Sequence, residues 1–146
     1  MKHIDARRAC RIEVIETLKA AGILDGLSLQ AAQLHNETRP CFWRGVVRDD
    51  AARSKDVFVT WHIPSSDAAT RADDNAFLRE VTVAVDVFSK RSFDSEQNHK
   101  IIERIEGGFA VAGFEVDMAA EQFEADTKLF HQPMTLFKLY GGQNVK

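Results

Sequence analysis

Residues 80–114 read EVTVAVDVFSKRSFDSEQNHKIIERIEGGFAVAGF, and their patterning decides the fold. Val81, Val83, Val85 and Val87 alternate with Thr82, Ala84, Asp86 and Phe88. This period of two, with a β-branched residue at every second position, predicts a strand with one wholly apolar face. Burying each valine would contribute on the order of 1.5–3 kcal/mol. A short polar loop follows, then a helix marked at both ends. Asp94 is the expected cap, with Gln97 where a capping box would place it. Ile102, Ile105, Phe109 and Ala112 fall on one helical stripe. Gly113 is the expected left-handed stop, and Phe114 stands where a Schellman ending puts its hydrophobic contact. The centre of the chain is therefore expected to be a strand, a turn and an amphipathic helix folded over the valine face.

Outward from this unit, residues from about Ile4 to Ala21 predict another helix, with Ile12, Ile15 and Leu18 on one side and Val14 paired with Leu18 one turn on. Its ending, Ala21-Gly22-Ile23, repeats the punctuation of Ala112-Gly113-Phe114. Leu24 to Asp56 is the least regular part, with Cys41–Trp43 and Val46-Val47 as candidate short strands and a charged turn from Arg48. Val57 to Ile63 alternates again and predicts a strand that Pro64 ends. Ser65 to Asn75 is polar and predicts a flexible loop. Strands are expected at Glu115–Met118, Gln122–Thr127 and Met134–Tyr140, the last begun by Pro133, before a frayed tail over 141–146. This order predicts a single α+β domain over 1–146, a mostly antiparallel sheet with two main helices packed on one face. Two helices leave the opposite sheet face, with Ala84, Asp86 and Phe88, either partly exposed or covered by a neighbouring subunit, the second fitting the rule for sizeable apolar patches.

The 146 residues suffice for one domain with a real core. A net charge of −3, from 19 basic and 22 acidic residues, argues against nucleic-acid binding by bulk charge. Cys10 and Cys41 have no metal-binding spacing; a reduced, cytoplasmic chain is expected, and a disulfide between them stays open. Charged residues interrupt the N-terminus, so no secretory signal is expected. No apolar run approaches the ~20 residues of a membrane span.

The histidines His3, His35, His62, His99 and His131 form no metal motif. His62 and His131 are candidates for neighbouring strands, with Asp86 between them. His99 and Glu103 are one helical turn apart, the spacing of a weak surface contact. Asp67, Asp73 and Asp74 offer oxygen ligands to a divalent cation but lack the EF-hand order. Gly107-Gly108 interrupts the second helix and predicts a close backbone approach, from the sheet beneath or an adjacent subunit. No phosphate loop and no GxSxG is present. No catalytic, cofactor-binding or metal-binding residue is assigned, and an enzyme is not expected.

Three stretches resemble a known family. MKHIDARRACRIEVIETLKAAG at 1–22, REVTVAVDVFSKRSFDSEQNHKIIERI at 79–105 and FEADTKLFHQPMTLFKLY at 123–140 are similar to the first helix, the central strand–turn–helix and the last hairpin of the lambda-type bacteriophage tail terminator (minor tail protein U) family. Residues Leu24–Asp56 and Ser65–Asn75 lie outside the resemblance. It implies a structural virion protein that caps the tail tube as a homohexameric ring, ends tail polymerisation and forms part of the head–tail joining surface. It implies assembly in the host cytoplasm and residence in the virion tail. The implied partners are the chain itself, the tail tube protein and a head-completion or connector protein, with no membrane and no sequence-specific nucleic acid. No cofactor is implied beyond a divalent cation as an aid to assembly. Loop position and charge nominate Arg71, Asp73, Asp74, Lys90 and Arg91 as contacts, and the uncovered face nominates Phe88. Two alternatives stand beside it. One is a head–tail connector or head-completion protein. The other is a small cytoplasmic enzyme or ligand-binding domain using His62, Asp86 and His131, which predicts a concave pocket.

Overall fold

Asp5 begins the first helix, α1 (Ala6–Ala20), its carboxylate accepting the Arg8 N–H at 3.1 Å, as an N-cap aspartate does. This computed structural model describes residues 5–28, 37–45, 55–72 and 75–141. The core stripe of α1 is Ala6, Cys10, Val14 and Leu18. The expected stripe through Ile12 is therefore rotated: Ile12 is 46% exposed, and Ile15 packs only at the margin of the core. The small residues Ala6 and Cys10 complete the i, i+4 line, and a count weighted towards large apolar residues overlooks them.

The second helix, α2 (Glu96–Val111), is capped by Ser95, whose hydroxyl accepts the Asn98 N–H. Asp94 was the expected cap. Its own N–H donates to the Ser92 hydroxyl, which places it in the preceding turn. Both helices end as their sequences predict. The N–H of Ile23 reaches Leu18 O and that of Gly22 reaches Lys19 O; Phe114 reaches Phe109 O and Gly113 reaches Ala110 O. Gly22 and Gly113 have φ of 86° and 94°, the left-handed conformation a Schellman ending needs. The Phe114 ring meets Phe109 edge-on, with centroids 5.3 Å apart.

The strands are β1 (Leu24–Asp25), β2 (Cys41–Arg44), β3 (Val57–Ala72), β4 (Asn75–Ser89), β5 (Glu115–Met118), β6 (Gln122–Glu124) and β7 (Leu129–Gly141). They form one sheet in the order β1-β2-β3-β4-β7-β5, with β6 also beside β7. β1, β2 and β3 run parallel, and every other described pairing is antiparallel. The class is α+β. Val81, Val83, Val85 and Val87 are all fully buried. They share one cluster with Val57, Val59 and Trp61 of β3, Met134 and Leu136 of β7, and the stripes of both helices. The opposite face carries a second, smaller cluster of Cys41, Trp43 and Phe58, with Leu24, Phe88 and Leu129 packed against it. That face is thus partly covered by the chain itself. Cys10 belongs to the first cluster and Cys41 to the second, and both are free thiols.

Pro64 does not end β3. The strand continues to Ala72, which pairs with Asn75, so most of the segment expected to be a flexible loop is a β-hairpin. The register shifts between His62 and Ser65, and the bulge takes up the proline that cannot donate to a ladder. β2 pairs β3 only as far as Trp61, so no ladder bond to β2 is lost at Pro64. Pro133 likewise lies inside β7 rather than at its start. It falls between the stretches that pair with β6 and with β5, where the ladder on that side is interrupted. The Gly107-Gly108 step does not lie against the sheet. A Cβ on Gly108 would come within 3.2 Å of Thr17 Cγ2 on α1, and one on Gly107 would meet nothing within 4 Å. Gly108 is therefore where the two helices approach. Val46-Val47, most of the charged turn from Arg48, and the tail beyond Gly141 lie outside the described residues.

Candidate functional site

The strand registers set side chains in rows across the outer sheet face. Cys41 pairs with Phe58, Phe58 with Phe88, Phe88 with His131 and His131 with Gln122. Three of these rings stack side by side. The Phe58 and Phe88 centroids are 5.1 Å apart and those of Phe88 and His131 are 4.4 Å apart, with interplanar angles of 18° and 13°. In the next row Thr60 pairs with Asp86 and Asp86 with Pro133. Proline has no N–H, no side-chain donor and little bulk, so Asp86 turns diagonally to His131. Its Oδ1 lies 2.6 Å from His131 Nε2. The other ring nitrogen, Nδ1, is 3.4 Å from Glu124 Oε2 on β6. The Asp86 contact ties β4 to β7, whereas Nδ1 is buried without a hydrogen-bond partner, with Glu124 near it but out of bonding geometry.

Above these rows lies a cleft of about 970 Å³. Phe58, Thr60 and His62 of β3 and Asp86 and Phe88 of β4 form its floor. The β6–β7 turn, Glu124 to Leu129, forms one wall, and Gly45 and Lys90 complete the lining. The size suits a small ligand, and the mixture of apolar wall and a few convergent polar groups is that of ligand pockets generally. Asp86 is part-buried, its side chain 23% exposed. Lys90 and Lys128 are exposed, and Lys90 Nζ is 3.9 Å from Asp56.

A second polar cluster joins α1 to β7 on the other side of the sheet. Glu13 accepts from Tyr140 Oη at 2.5 Å and from Lys138 Nζ at 2.7 Å, and Lys138 also donates to Ala112 O. Burial, then the hydrogen bonds to Glu13 and Cys10, push the Tyr140 phenol above its usual range. Burial raises the Cys10 thiol as well. Nothing local in the sequence marks this cluster, because Glu13 and Tyr140 are 127 residues apart.

The structure brings Asp86 and His131 together, as their candidate strand positions suggest, and sets His62 on the same cleft. Glu124, Thr60 and Phe58 complete the arrangement without having been marked by any motif. His99 and Glu103 form an exposed pair at 3.6 Å. Phe88 is half-buried inside the stacked row rather than bare. Arg71 and Asp67 lie on β3, opposite Ala76 and Glu80. Asp73 and Asp74 lie outside the described residues, and so do His3 and His35. Lys90 and Arg91 follow β4 in an exposed turn, where the Arg91 N–H donates to Ser89 Oγ. Among the described residues no three His, Cys, Asp or Glu side chains are grouped to hold a metal ion. Among the described residues no helix is long and apolar enough to cross a membrane.

No family model matches the chain, and no curated protein matches it either.

Proposed function

We propose that this chain is a structural subunit that closes into a ring on a bacteriophage tail tube, ends tube growth and offers a surface to the head. The reading draws on the resemblance at both ends and in the middle of the chain. The structural observation that carries it is the β3–β4 hairpin. Its ladder runs well past Val57–Trp61 and Val81–Val87, where the helices pack, to the pairing of Ala72 with Asn75. The eleven residues beyond Trp61 span about 35 Å at strand rise. The sequence PSSDAATRA at 64–72 supplies no large apolar side chain. The β3 half of the arm therefore contributes little to a core, the β4 half carrying Phe77 and Leu78, and ordering the arm costs conformational entropy. Contact with a neighbouring subunit offsets that cost. A ring also needs two different complementary surfaces on each subunit, so that the rotation closes. The arm and the outer sheet face are candidates for one and the other.

On this reading the chain is not an enzyme. Its partners are copies of itself, the tail tube protein and a head-completion or connector protein, and its place is the virion tail. On this reading a divalent cation assists assembly. The test is tube length. Tail tubes assembled without this protein should be of uneven length in negative stain, and adding the protein should make them uniform. Tubes of uniform length in its absence would assign termination to something else.

A further inference from the structure

We infer that the outer-face cleft is a binding site for a flat organic cation, an amidinium or guanidinium group carried on an apolar body. The inference is of the isolated chain, in which no neighbour covers the outer face, and it does not rest on the ring. The cleft holds about 970 Å³, at the upper end of what small-molecule sites enclose. Its floor pairs an apolar side, Phe58 and Phe88, with a polar side, Thr60 and Asp86. Three carboxylates line the cleft, Asp86, Glu124 and Asp126, of which Asp86 is part-buried, whereas Lys90 and Lys128 are exposed. Lys90 is also close to Asp56, 3.9 Å away. Asp86 uses one carboxylate oxygen, Oδ1, towards His131. A carboxylate accepts through two oxygens, and a planar amidinium or guanidinium donates to both lone-pair directions in a way a simple ammonium does not. The stacked Phe58–Phe88–His131 row fixes the floor, so the site is formed before the ligand arrives. Phe58 and Phe88 cover the apolar body, and Asp86, with the Thr60 hydroxyl beside it, takes the cationic end.

Benzamidine is the probe, and benzoate, of the same shape and opposite charge, is its control. In backbone-amide NMR of the whole chain, benzamidine should shift the signals of Phe58, Thr60, Asp86 and Phe88 and saturate in about the millimolar range expected of so small a ligand. Benzoate should leave those signals in place. Asp86→Asn keeps an oxygen for His131 and should weaken benzamidine by about tenfold. Absence of shifts, equal shifts from benzoate, or unchanged affinity in a folded Asp86→Asn would each overturn the inference. Should Asp86→Asn fail to fold, the comparison of the two probes on the unaltered chain decides alone.

Discussion

Tyr140 is the only tyrosine in the chain, so its ionisation can be followed by phenolate absorbance without ambiguity. Burial and the bond to Glu13 raise its pKa above the ordinary phenol value of 10.0. The folded state therefore holds the phenolic proton more tightly than the unfolded state does. The stability this contributes is fully present below pH 10 and is lost as pH rises above it. The native protein should show no phenolate at pH values where the urea-unfolded chain is already half-ionised, and Glu13→Gln should narrow the gap. Equal titration of the folded and unfolded chains would remove the buried Tyr140–Glu13 bond from the account. Gly26 gives a steric test. A Cβ there would lie 2.1 Å from Trp43 Cε2. Gly26→Ala should destabilise by about 1–3 kcal/mol in denaturant unfolding, through displacement of the indole. Phe88 is the residue whose meaning changes most. On the pattern of alternation alone, Phe88→Asp should disturb assembly more than folding. Stacked between Phe58 and His131, the ring also supports the monomer. Phe88→Ala is expected to cost about 2 kcal/mol, roughly half the loss of a fully buried phenylalanine, measured on the isolated chain.

At the scale of elements, the two glycines of α2 separate cleanly. Gly107→Ala meets nothing and should stabilise by about 0.5–1 kcal/mol, the usual gain in a helix interior. Gly108→Val would press on Thr17 of α1 and should destabilise by about 1–3 kcal/mol. Thermal unfolding of the two variants checks the sign of each. Val81 to Val87 and the glycine-marked helix ends were legible in the sequence because a period and a left-handed stop are local signals. The hairpin arm was not. PSSDAATRA has no apolar alternation and a single β-branched residue, Thr70, and its strand pairing comes from the partner strand rather than from propensity. Ser95 displaced Asp94 as cap because the cap depends on a turn formed by Ser92, which no capping pattern reports. Of the candidate cleft, His62, Asp86 and His131 could be suspected from strand alternation. Glu124 could not, since its approach to His131 depends on how β6 lies beside β7. The arm also makes a kinetic prediction: in the isolated chain its amides from Ser65 to Ala72 should exchange with solvent faster than those of Val81 to Val87, which lie in the buried core.

For the whole molecule, one α+β sheet carries its helices' core stripes on the valine face, an aromatic row and cleft on the other, and a hairpin that runs beyond both. The first face accounts for the fold. The hairpin and the outer face are where this chain has surface to offer a neighbour, and the central claim is that the neighbour is another copy of itself in a closed ring. Static light scattering over a range of concentration, with and without magnesium and with tail tubes added, tests that claim most directly. The account predicts a discrete species of about six times the 16.4 kDa of one chain. A protein that stays at the mass of a single chain under every one of those conditions would contradict it.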